Sequence, residues 1–179
     1  MAVDFPFFRQ LTLHIVVLTQ ETLRIMLAGC PALESLLLEE NVGIACMRIS
    51  SPTIRSIDLY TPRDKKSVLH ELVIEDAPCL ERLLSLNPKY GPKYSPVNIR
   101  VIRAPRLKIL GSLSPGILPS RVATTVFQKM IANSLRTIMH TVKVLALDLV
   151  GPDLDAVLDF LKYFPCLERL YISLYSVLL

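Results

Sequence analysis

At 179 residues, with 51% hydrophobic residues, a mean hydropathy of +0.44 and a net charge of +4, the chain fits one domain. A chain of this size buries roughly 70% of its unfolded surface. No apolar run approaches the ~18 residues of a membrane span, and Met1 to Gln10 carries Asp4 without a basic start, so neither a span nor a secretory signal is expected. Cys30, Cys46, Cys79 and Cys166 form no C-x-x-C pair and no metal spacing, which favours structural thiols in a reducing compartment, cytoplasmic or nuclear.

In chain order, Phe7 to Leu18 reads as a first strand and its exit. Thr19 to Ala28 reads as a short helix, with Leu23, Met26 and Leu27 as its stripe and Gly29 as its stop. A strand at Leu33 to Leu38 runs into Glu39-Glu40-Asn41, and Met47 and Ile49 then form a shorter strand on the return path. Val73/Ile74 and Val101/Ile102 repeat that feature ahead of Pro78 and Pro105, so the middle of the chain returns through extended segments in place of helices. Tyr60 to Ser67, Asn87 to Pro96 and Gly111 to Arg121 are rich in Pro, Gly and polar residues and read as loops. Thr124 to Met139 reads as a helix. So does Asp153 to Phe164, with Asp153 as its cap and Leu154, Val157, Leu158 and Leu161 as its buried stripe.

These elements share a repeat. Pro78-Cys79-Leu80-Glu81-Arg82-Leu83 returns unchanged 87 residues later as Pro165 to Leu170, and weaker copies begin at Pro31, Pro52 and Pro105. Widened to aliphatic-x-x-aliphatic-x-aliphatic, the pattern gives seven rungs that start at Phe8, Leu33, Ile54, Leu80, Leu107, Val142 and Leu167. The fourth and fifth carry Ser85 and Ser112 at the last aliphatic position. The intervals are 25, 21, 26, 27, 35 and 25 residues, and five of the six fit the leucine-rich-repeat period of about 20–29. Each unit is too small to bury its own apolar face, so stacking must build the core. The expected fold is a curved α/β leucine-rich-repeat solenoid with a parallel concave sheet of about seven short strands. Each proline, unable to donate to a ladder, belongs at the turn into a strand. A solenoid needs a polar terminal repeat, so the apolar Val177-Leu178-Leu179 implies further rungs or a cover from another part.

Strand alternation sets the candidate surface. The outward positions are Gln10, Thr12, His14, Ser35, Leu37, Ser56, Asp58, Tyr60, Arg82, Leu84 and Ile109, then Val144, Ala146, Asp148, Arg169, Tyr171 and Ser173. With Lys108 beside the fifth rung, the partner-binding candidates are His14, Ser56, Asp58, Tyr60, Arg82, Lys108, Arg169 and Tyr171, since Arg and Tyr most often anchor interfaces. Residues 1–81 carry 7 cations and 11 anions, and residues 148–179 carry 2 and 5, but Arg82 to Leu147 holds 11 cations and no acid. Lys89, Lys93, Arg100, Arg103 and Arg106 would form a basic patch there, suited to an acidic peptide, a phosphate-bearing ligand or nucleic acid. Few aromatics beyond Tyr90 and Tyr94 accompany it, which weighs against nucleic acid. His14, His70 and His140 lie in distant repeats, and no nucleophile elbow, P-loop or dinucleotide fingerprint occurs, so no enzyme, metal or cofactor is expected.

The phrases Gly29-Cys30-Pro31-Ala32-Leu33-Glu34, Ile49-Ser50-Ser51-Pro52 and Glu75-Asp76-Ala77-Pro78-Cys79-Leu80-Glu81 resemble plant F-box/leucine-rich-repeat proteins of the FBD type. Thr141 to Leu147 and Phe160 to Ile172 look like the start of their FBD region. The resemblance implies repeats over 1–140 and a last set over 141–179, in one continuous solenoid. It further implies the substrate-recognition part of a Skp–cullin–F-box ubiquitin ligase, with the repeats holding the target. Nothing before Phe8 is long enough for an F-box, so a Skp-type adaptor would be recruited only through an F-box supplied upstream.

Overall fold

The computed structural model describes residues 4–60, 69–86, 97–113, 139–150 and 154–175. Its elements in chain order are β1 (Gln10–His14), α1 (Gln20–Ala28), β2 (Ser35–Glu39), β3 (Cys46–Ser50), β4 (Ser56–Tyr60) and β5 (Glu71–Asp76). There follow β6 (Arg82–Leu86), β7 (Asn98–Val101), β8 (Ile109–Leu113), β9 (Val144–Val150), α2 (Leu154–Leu161) and β10 (Arg169–Tyr175). A seven-stranded parallel sheet runs β1-β2-β4-β6-β8-β9-β10, and a three-stranded parallel sheet, β3-β5-β7, lies on the return path. The chain is therefore a curved solenoid whose concave side is the long sheet, and the middle repeats return through strands as the sequence indicates. The expected helix over Thr124–Met139 lies outside the described residues except Met139, as do the loops expected over 60–67, apart from Tyr60 at the end of β4, over 87–96, and over 111–121 beyond Leu113.

The repeated proline has a direct role. The N–H of Leu33, Leu80, Leu107 and Leu167 bonds to the carbonyl of Cys30, Ala77, Ala104 and Phe164 at 3.1–3.2 Å. Each Pro stands at the second position of that four-residue turn, where a fixed φ costs nothing and no donor is required. The aliphatic that closes the turn then enters the core: Leu33, Leu80 and Leu107 are fully buried, as are Ile54 and Val142 at the equivalent positions, while Leu167 in the last repeat is partly buried. Period-2 alternation carries the burial on through Leu36, Leu38, Ile57, Leu59, Leu83, Leu110, Leu145 and Leu147. Leu72, Ile74, Met47 and Ile49 from the smaller sheet close the other side.

The ends of the array depart from this rule, because a terminal rung has a neighbour on one side only. Phe8 is exposed and stacks on Phe5 at 4.6 Å, and Ile172 on edge strand β10 is also exposed. The helix α1 begins where expected, with Thr19 Oγ1 accepting from the Thr22 N–H. Its first residue does more: the Gln20 side-chain amide both donates to the Arg48 carbonyl and accepts from the Arg48 N–H, each at 2.9 Å. That side chain satisfies the open edge of β3 as a neighbouring strand would. In α2 the buried stripe is Val157 and Phe160, continued by Leu161 and Phe164, whereas Leu158 faces solvent. Of the expected stripe, Val157 and Leu161 pack as expected, Phe160 takes the place of Leu158, and the Leu154 side chain lies outside the described residues.

Two sequence readings change at β8. Gly111 to Leu113, read as the start of a loop, belongs to the strand. Leu110 pairs with Leu145 but Leu113 pairs with Leu147, so β8 carries one residue more than β9 across that span. Leu113, not Ser112, therefore occupies the register of the last rung aliphatic. This is a bulge, and Gly111 suits it: an added Cβ would lie 2.6 Å from the Ala146 Cβ. Gly43, at φ +95°, is the other glycine the fold requires, beside the bridge that joins Val17 to Val42.

Candidate partner-binding face

Parallel register stacks equivalent outward residues into columns across the long sheet. One column runs Gln10, Ser35, Ser56, Arg82, Ile109, Val144, Arg169, and the next runs Thr12, Leu37, Asp58, Leu84, with Gly111 against Ala146 and then Tyr171. A third begins His14, Glu39, Tyr60. Seven of the eight partner-binding candidates thus lie on one face, and Lys108 borders it at the entry to β8. The first column is polar over β1, β2 and β4 and apolar over β8 and β9. A hollow of about 580 Å³ opens at the polar end, lined by Phe7, Arg9, Gln10, Glu34, Ser35, Arg55 and Ser56.

Fixed contacts hold parts of this face. Arg82 donates from Nη2 to Asp58 Oδ2 at 2.6 Å and from Nε to Ser56 Oγ at 3.0 Å, while Asp58 Oδ1 is buried without a hydrogen bond. The Asp58 side chain is 17% exposed, so this pair is a structural brace of the sheet as well as a surface feature. His14 Nδ1 lies 3.1 Å from Glu39 Oε2. Tyr60 and Tyr171 are exposed, as is Arg169.

Just before each strand of the long sheet stands one charged residue: Arg9, Glu34, Arg55, Glu81, Lys108, Lys143 and Glu168. Backbone bonds lock them into a column, since Glu34, Arg55, Glu81, Lys108, Lys143 and Glu168 each donate an N–H to the carbonyl of the one before. Ion pairs join Arg9 to Glu34 at 3.4 Å, Arg55 to Glu81 at 3.5 Å, Lys108 to Glu81 at 3.3 Å, and Lys143 to Glu168. The Lys143 ammonium bonded to Glu168 holds that carboxyl below its ordinary range.

The described cations of the acid-free block do not converge. Arg82 is on the concave face and Lys108 at its border. Arg100 and Arg103 belong to the return path, where they face Glu71 at 3.6 Å and Asp76 at 2.8 Å. Arg106 is exposed in the turn ahead of β8, and Lys89 and Lys93 lie outside the described residues. Each paired cation of the block draws its acid from a neighbouring repeat outside it, so five of the six described cations have an acid beside them. On the return path Cys46 Sγ also bonds to Glu71 Oε2 at 3.3 Å; burial, then that bond and the carboxylate charge, push its thiol up. Burial raises Cys30 as well.

Sequence reasoning missed one organising residue. Buried Asn41 accepts from the Val16 N–H at 3.1 Å and donates to the Leu13 carbonyl at 2.9 Å, tying the first repeat to the second. Its signal was legible: Leu33, Leu36, Leu38 and Asn41 match the extended repeat L-x-x-L-x-L-x-x-N. Among the described residues no cluster of His, Cys, Asp or Glu is arranged to hold a metal, and no helix is long and apolar enough to cross a membrane.

A parallel concave sheet, one charged residue ahead of each strand and a turn proline in most repeats define a leucine-rich-repeat solenoid, a class that presents its concave strands as a broad interaction surface. The family model for the leucine-rich repeats of FBD-associated F-box protein At5g56370 matches residues 1–172, and the chain belongs to that family. No curated protein and no solved structure matches the chain.

Proposed function

We propose that this chain is a non-enzymatic, cytoplasmic or nuclear protein-binding scaffold, the target-recognition part of a Skp–cullin–F-box ubiquitin ligase receptor. The Skp-type adaptor would be recruited through an F-box supplied upstream. The observation that carries this reading is the seven-stranded face, which lines up polar, apolar and aromatic side chains from successive repeats in parallel register, with one bulge at β8. Nucleic-acid or phosphate-ligand binding by residues 82–147 is the weaker reading, because the described cations there are divided between the concave face and the return path, and Arg82 and Arg103 are held by acids at 2.6 and 2.8 Å.

A photocrosslinking residue placed at Leu84 on the concave side should capture a protein target from a plant extract. The same residue at exposed Ile102 on the return path should not. Joining an F-box to the chain should then raise ubiquitylation of the captured target. Equal capture from both positions, or steeply salt-dependent micromolar binding of generic RNA and DNA, would overturn the proposal.

A further inference from the structure

The concave face changes character along its length, and the two halves are separated by a definite distance. At one end the hollow is flanked by Arg9 and Arg55 with Glu34 between them, so cations outnumber the acid within its walls. The guanidiniums meet Glu34 and Glu81 only at 3.4 and 3.5 Å, and all four side chains are well exposed. Such loose surface pairs hold their partners weakly and are readily recruited by a better-placed anion. Ser35, Ser56 and the Gln10 amide add hydrogen-bond donors to the floor, and Phe7, 89% exposed, stands at the rim.

Towards the other end, Ile109 and Val144 are adjacent in one column and Leu84 lies beside Gly111 in the next. Between Leu84 and Tyr171 the second column holds only Gly111 and Ala146, whose close approach leaves no side chain longer than a methyl. Among the described residues the column is therefore apolar and small-chained there, with larger apolar side chains beside it. Arg82 lies between the two halves, but its bonds to Asp58 and Ser56 commit it to the sheet.

We propose that the face reads one extended peptide segment of its partner at two points of opposite chemistry. An anionic side chain, carboxylate or phosphate, enters the hollow between Arg9 and Arg55. An apolar side chain of the same segment sits on Ile109, Val144 and the Gly111–Ala146 floor. The spacing follows from the sheet order: from β2, at the centre of the hollow, to midway between β8 and β9 is three and a half strand steps. At about 4.8 Å per step that is roughly 17 Å, or about five residues of extended chain at ~3.3 Å each. Side chains of one face recur every second residue, so the anion and the apolar anchor stand four or six apart. This deepens the scaffold reading above and rests on it.

The test is fluorescence anisotropy with synthetic peptides that carry one phosphoserine or one aspartate and one leucine, set two, four, six or ten residues apart in both chain directions, on an otherwise Gly/Ser background. Binding should peak at four or six in one direction. Replacing the anion with serine, or the leucine with alanine, should weaken the peak peptide by about tenfold or more. The double variant R9Q/R55Q should lose the anion dependence and keep the leucine dependence, while V144S should do the reverse. R24Q, remote on α1, should change neither. The phosphoserine and aspartate arms tell a phosphorylated segment from a merely acidic one. Affinity that ignores spacing, or falls equally with R24Q and with R9Q/R55Q, would overturn the proposal. The spacing series needs no variant, so a folding defect cannot mask the result. If no peptide binds while Leu84 crosslinking still captures a target, the two-point reading fails and the scaffold reading stands; loss of both refutes both.

Discussion

Gly111 offers the sharpest test of how the long sheet is assembled. In G111A the new methyl would lie 2.6 Å from the Ala146 Cβ and 3.3 Å from the Ala146 Cα and N. Carbon atoms rest at about 3.5–4.0 Å, so β8 and β9 must part by about 1 Å or the bulge must shift. Overpacking of this kind costs about 1–3 kcal/mol. The unfolded chain loses entropy on the same substitution, which returns about 0.4–1 kcal/mol. The net expectation is a loss of about 1–2 kcal/mol, read as a fall in Tm of roughly 2–8 °C for a chain of this size by circular dichroism. A146G alone should cost about 0.5–1 kcal/mol, as glycine does within an element. Combined with G111A it removes the obstructing methyl, so the double variant should be more stable than the sum of the singles by at least about 1 kcal/mol. A G111A protein as stable as its parent, or additive singles, would refute the close approach of β8 and β9.

Two further outcomes follow from buried polar groups. N41A leaves the Val16 N–H and the Leu13 carbonyl without partners; it should cost about 2–3 kcal/mol in urea unfolding and speed hydrogen exchange at Val16 first. Among the cysteines, exposed Cys166 should react with a disulfide reagent soonest, and Cys30 and Cys46 latest. Because the Cys46 thiol is pushed up by burial and by Glu71, its labelling should demand more alkaline solution, and E71Q should shift that demand towards neutrality. The raised thiol contributes stability that is complete below its unfolded pKa and declines as pH climbs through the folded one. Glu21 and Glu168, held low by Arg24 and Lys143, contribute in the opposite sense: their share is present above the unfolded carboxyl pKa and is lost as acid takes pH through the folded values.

The repeats were legible because two local rules agree within each one. A proline that suits the second position of a turn precedes an aliphatic that closes it, and alternation then assigns every following side chain to the core or the face. Met47 with Ile49 and Val73 with Ile74 made the second sheet legible in the same way. The bulge was not, because Gly111 and Ser112 reveal an extra residue only when β8 is laid against β9. Nor were the charges. Arg82 reads as a free cation in a block without acids, yet its carboxylate lies 24 residues upstream, one repeat away in the chain and one strand away in space. Arg103 and Asp76 are separated in the same fashion by 27 residues. Separations that vary from rung to rung have no fixed spacing for a sequence to display. The two-part character of the concave face was hidden for a similar reason: Ile109 and Val144 are 35 residues apart in sequence and adjacent in register.

Over the larger contribution of the shared apolar core, the charged column ahead of the strands grades the couplings between neighbouring repeats. Read from Arg9 to Glu168, neighbouring members have opposite signs at every junction except one, where Lys108 meets Lys143 between β8 and β9. A stack whose repeats touch only their neighbours behaves as a one-dimensional lattice, in which a boundary between ordered and melted units travels until it reaches the weakest coupling. Exposed pairs are worth at most about 1 kcal/mol each, so the Lys108–Lys143 junction, which also carries the bulge, is the place where such a boundary should form first at low ionic strength. Added salt weakens the attractions elsewhere and the repulsion at that single step together, so the couplings along the array should become more even.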